Sequence, residues 1–141
     1  MHLVHPALVH FAIAFLVAGG LAEAVGILAR KERAERFGST LVVLGTLALV
    51  LTVASGFLAL NVVTLPPGSE EAMGAHERMG IVLLGTFLSL ALWKGWHQGR
   101  LPETQRPLYA VALLGGVAMV VGAAWLGGVV VYGHGVGVRL P

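Results

Sequence analysis

Cysteine and aspartate are absent from this sequence, and charged residues make up only 11% of its 141 positions. The lack of cysteine excludes disulfides, iron–sulfur clusters held by thiolates and covalent haem attachment through C-x-x-C-H. So little charge cannot cover a water-facing surface of ordinary composition, in which about a quarter of residues are charged. Hydrophobic residues account for 57%, and the mean hydropathy is +0.86. The isoelectric point near 9.5 does not indicate nucleic acid. No basic stripe with interleaved aromatics exists, and the basic residues gather at the ends of apolar runs. A positive n-region and a cleavage site are missing from the N-terminus, so a cleaved signal peptide is not expected. There is no phosphate-cradling loop, hydrolytic triad or pair of catalytic carboxylates, and neither an internal repeat nor a second domain is evident.

What the sequence does have is apolar length. Crossing a bilayer takes about 20 apolar residues in a helix, and four segments reach that length: 6–29, 40–63, 76–97 and 108–132. Pro6 and Pro107 suit the first turn of the first and last. Ser39 and Thr40 are candidate caps for the second, and Ser69 before Glu70 and Glu71 signals an earlier start for the third. The expected fold is all-α, a single integral membrane four-helix bundle. Arg30, Lys31, Arg33, Arg36, Lys94, Arg100 and Arg106 fall on one side of it, and only Arg78 and Arg139 on the other. By the positive-inside rule both termini face outward, which is the periplasm for a bacterial inner membrane. Trp93, Trp96, Tyr109 and Tyr132 sit near helix ends, as an interfacial aromatic belt would.

Histidine is the informative residue type. Of the six, His97 lies on the inner side and reads as an interface residue, and His2 reads as a solvated terminal residue. His5 and His10 open the first helix, His76 lies at the start of the third, and His134 follows the fourth. Imidazoles from three elements therefore gather at the outer end. His10 sits within the apolar run Leu8-Val9-His10-Phe11-Ala12, and an ionisable group there marks a bundle interior or a function. Imidazole binds zinc, copper and haem iron. His5 and His10 are five apart, not the four that places two ligands of one zinc ion on one helix face. Single imidazoles on separate helices suit a flat macrocycle between them, and small residues near these histidines (Ala14, Gly80, Gly116, Ala123 and Gly127) would leave room for it. The same residues also serve close helix packing. Glu23, near the inner end of the first helix, reads as the partner of Lys94 or Arg30, or as an acid serving protons or quinone.

The opening His5-Pro6-Ala7-Leu8-Val9-His10-Phe11, the internal His76-Glu77-Arg78 and the closing Tyr132-Gly133-His134-Gly135-Val136-Gly137-Val138 resemble a bacterial membrane-protein family, domain of unknown function 2231. The resemblance covers nearly the whole chain. It departs at Ala12, where members typically have proline. It implies a membrane location and no established activity. Fusions of some members to Rieske-type or cytochrome-like domains imply a redox setting.

These features lead to one expected function and two alternatives. The expected protein is an electron carrier, not a catalyst, binding one or two non-covalent b-type haems near the outer face. His5, His10, His76 and His134 are the axial ligand candidates, and Arg78 and Arg139 the candidates for pairing with haem propionates. Its partners would be the lipid bilayer, an outer-face redox protein or quinone, and a second copy in a homodimer. The alternatives are a copper- or zinc-binding protein using the same histidines, and a structural subunit of a larger membrane redox complex.

Overall fold

In a computed structural model, which describes residues 4–138, the chain forms four long helices: α1 (Val4–Leu28), α2 (Glu32–Leu60), α3 (Glu70–Trp96) and α4 (Arg106–Gly128). A short π-helical segment (Val129–Gly133) prolongs α4. Each helix is long and apolar enough to cross a membrane. Two helices start well before the apolar segments identified in the sequence. α2 starts at Glu32 instead of residue 40, because the charged stretch after Lys31 winds as its first turns. Ser39 and Thr40 are therefore not caps: the Ser39 hydroxyl donates to Glu23 (2.9 Å) and the Thr40 hydroxyl to the Arg36 carbonyl (3.1 Å). α3 starts at Glu70, as Ser69 signalled, but the buried Ser69 hydroxyl donates to the Pro66 carbonyl (2.7 Å) and caps nothing.

Successive helices run antiparallel. One end of the bundle carries the two turns with most of the basic residues, and is called here the basic end. The terminal end carries the start of α1, the Asn61–Ser69 connection and the segment after α4. α1 and α2 pack with a close backbone approach that glycines permit. A Cβ on Gly19 would lie 2.7 Å from that of Leu41, and one on Gly45 2.7 Å from Leu16 Cδ2. Cβ atoms on Gly26 and Gly38 would meet the backbones of Glu35 and Glu23. Glycines seven residues apart on both helices keep the register along the hairpin, as small residues do where membrane helices touch.

The two hairpins repeat one plan at a constant offset of 71, although no repeat is evident in the sequence. Leu16 packs on Gly45, and Phe87 on Gly116. His5 packs on Gly56, and His76 on Gly127. Glu23 is bonded to Lys94 and Glu35 to Arg106, both pairs 71 residues apart. Side chains at equivalent positions that touch each other lie beside a pseudo-twofold axis, here running along the bundle. The repeat is hidden because packing needs only compatible size and charge at most positions, so few identities survive.

Candidate functional site

The interior faces of α1 and α3 are built alike. His5, Ala12, Leu16 and Glu23 follow each other at steps of seven, four and seven, which is one stripe of a helix. His76, Leu83, Phe87 and Lys94 repeat those steps on α3. The middle of both stripes is apolar and buried, with Leu16 at 1% exposure and Phe87 at 0%. Polar groups therefore sit at the two ends of the interior, separated by 18 residues or about 27 Å of helix.

At the basic end Glu23 is fully buried, and its Oε1 accepts from Lys94 Nζ and from the Ser39 hydroxyl. Its Oε2 has no hydrogen-bond partner among the described residues, although the Tyr109 hydroxyl faces the same carboxylate. Arg106 donates to both oxygens of Glu35 (2.7 and 3.5 Å). Lys94 lies 3.8 Å from Glu35 and 5.7 Å above the centre of the Tyr109 ring. Tyr109 and Trp93 are thus not belt residues. Tyr109 is buried, and Trp93 packs edge-on against it and donates to Gln105 (2.8 Å). Trp96 and Tyr132 keep the exposure expected of a belt. Of the readings open for Glu23, the network supplies the pair with Lys94.

The terminal end holds the histidines. The His5 ring turns inward against α2, where its Nδ1 donates to the Thr52 carbonyl (2.9 Å) with the Ser55 hydroxyl at 3.3 Å. A carbonyl can only accept, so Nδ1 carries the proton and Nε2 keeps its lone pair. A Cβ on Gly56 would come within 3.1 Å of this ring, so glycine makes the seat. His76 occupies the equivalent seat on the other hairpin, where a Cβ on Gly127 would come within 3.1 Å of its ring. The Ala123 backbone faces that ring, but the buried Nδ1 lies outside hydrogen-bonding geometry and has no partner among the described residues. The His5 and His76 side chains are within electrostatic reach of each other.

His10 does not join this pair. It is exposed, and its Nδ1 donates to the Pro6 carbonyl one turn earlier (2.6 Å). It shares an outward stripe with Ala14, Leu21 and Leu28. His134 is half-buried at the end of the π-helical segment. Arg78 is exposed and lies back over Gly74 of its own helix. His2 and Arg139 lie outside the described residues. Among the described residues no three His, Cys, Asp or Glu side chains form a group able to hold a metal ion. An open hollow of about 470 Å³ lies at this end, between Val62–Pro67 and Gly135–Val138.

Sequence reasoning missed the supports of these residues: Thr52, Ser55, Gly56, Ser39, Glu35 and Arg106. Glycines at regular spacing in the first two helices were a usable signal for the hairpin. The paired seats had none, because they become visible only once both hairpins are superposed. The sequence matches no curated protein and no solved structure. A family model described as a predicted membrane protein (DUF2231) matches residues 1–140, and with four membrane-length helices over that span the chain belongs to this family.

Proposed function

We propose that this chain is a membrane-embedded, b-type cytochrome-like electron-transfer protein, binding non-covalent haem at its terminal end through inward-facing histidines. The observation that carries the reading is the pair of imidazoles from α1 and α3 at one level of the interior. His5 has its Nδ1 proton fixed by a backbone carbonyl, which leaves Nε2 free as a ligand atom. His76 carries an orphaned buried nitrogen over a glycine seat, so its ring too is held without its hydrogen bonding being complete. His5 and His76 would hold an iron macrocycle, a group that needs few ligands from the protein. A tetrahedral zinc site asks for three or four protein ligands, so the two-imidazole arrangement favours haem over zinc.

Within this reading His5 and His76 orient the group, and the apolar stripes below them exclude water. Arg78 and Arg139 are the terminal-end cations available to propionates. A haem held there would supply one-electron transfer. In this reading the terminal end faces the periplasm of a bacterial inner membrane, an orientation that the positive-inside count supports, and its partner there would be a redox protein or a membrane quinol. The test is purification after haem-replete expression, with haem quantification and spectra of both redox states. A Soret band that shifts on reduction is expected, lost or converted to high spin in His5→Ala and native in His97→Ala. A colourless parent would overturn the reading, and elemental analysis of the same sample would decide for copper or zinc.

A further inference from the structure

Resting on that haem reading, we infer that His5 and His76 are symmetry-equivalent axial ligands of a single iron on the pseudo-twofold axis, one haem per chain. His10 and His134 then lie outside the coordination. The chain treats residues that meet across the axis differently at its two ends. Equivalent positions in the two hairpins face each other there, so identical charged groups would repel. At the basic end the chain has made them complementary: Glu23 meets Lys94 and Glu35 meets Arg106. At the terminal end it has kept them identical, with His5 and His76 on equivalent glycines. The two rings also lie alike on those glycines, with Cε1 3.1 Å from the place of a Cβ in both; the His5 Nδ1 is bonded to the Thr52 carbonyl, while the buried His76 Nδ1 has no partner among the described residues.

Two imidazoles held in this way cannot satisfy each other. The Thr52 carbonyl fixes the His5 proton on Nδ1, so its Nε2 is an acceptor only. His76 presents its ring atoms to Gly127 in the same order as His5 does to Gly56, and in the same tautomer its Nε2 is an acceptor as well. Two lone pairs related by a twofold axis call for an electron-pair acceptor between them that takes two equivalent nitrogen donors. Iron in a planar macrocycle has such positions on its two faces. Both rings lie close against the neighbouring helix, because a glycine lies under each. His10 has neither feature: its equivalent position is Ile81, and its ring is exposed.

The experiment uses the full chain, purified in detergent after haem-replete expression. The expected stoichiometry is one haem per chain. His5→Ala and His76→Ala should lose low-spin haem to the same extent, with recovery on adding imidazole. His5→Met and His76→Met, which keep an axial donor, should give the same mixed histidine–methionine spectrum as each other. His10→Ala and His134→Ala should stay native. Two haems per chain, or a native spectrum in either inward variant, would overturn the shared site while leaving the cytochrome reading standing. A haem-free parent overturns both. A variant that fails to fold shows as aggregation on size exclusion, and its methionine counterpart then decides.

Discussion

Glu23 is a fully buried carboxylate, which needs both a counter-charge and hydrogen bonds. Lys94 and Ser39 supply these from two other helices. Removing the acid leaves the buried ammonium with only the more distant Glu35 as counter-charge, so Glu23→Ala should destabilise the protein by about 3 kcal/mol. Thermal unfolding in detergent would measure it. Glu23→Gln retains an acceptor and should lose less. The exchange of both residues, Glu23→Lys with Lys94→Glu, should recover most of the stability, because equivalent positions beside the axis trade places. None of these changes should alter a haem spectrum, since the pair lies about 27 Å of helix away from His5. A double variant no more stable than the single ones would show that the surroundings of the two positions are not interchangeable. The Glu23–Lys94 pairing was legible in the sequence as an intramembrane acid near an inner-end base. The role of Ser39 was not, because a serine beside an apolar run reads equally as a cap or as an interior donor.

At the scale of helices, the α1–α2 hairpin depends on close approach more than on side-chain bulk. A Cβ on Gly38 or Gly26 meets the backbone of the facing helix, which cannot swing aside as a flexible side-chain tip can. Gly38→Ala and Gly26→Ala should each cost about 1–3 kcal/mol, as overpacking does. Gly85→Ala and Gly115→Ala make the control, since nothing lies within 4 Å of either position. They should be neutral or slightly stabilising, because alanine is the better helix former by roughly 1 kcal/mol. Equal losses at all four positions would mean that helix propensity, and not the hairpin contact, sets the outcome. The existence of four helices was legible from apolar length alone. The start of α2 was not, because its charged first turns extend beyond the apolar run that length identifies, whereas Ser69 before Glu70 marked the start of α3.

The whole molecule is two hairpins of parallel orientation, so each contributes its connecting turn to the same end. That arrangement makes the charge bias self-consistent. Arg30, Lys31, Arg33 and Arg36 belong to the first turn and its helix ends, and Lys94, Arg100 and Arg106 to the second. Neither hairpin can be inverted alone without breaking Glu23–Lys94 and Glu35–Arg106, whose partners must lie at one end. We predict that the chain inserts as a unit, with the seven-residue cluster setting its direction. That end should be cytoplasmic and the histidine end periplasmic. The absence of cysteine allows a direct measurement, because each introduced thiol is the only one. Thr64 is exposed in the connection at the terminal end, and Arg33 is exposed near the start of α2. In intact cells an impermeant thiol reagent should label Thr64→Cys and spare Arg33→Cys, and both should react once the membrane is opened. The opposite pattern would put the imidazole pair at the cytoplasmic face, and any redox partner would then be sought there.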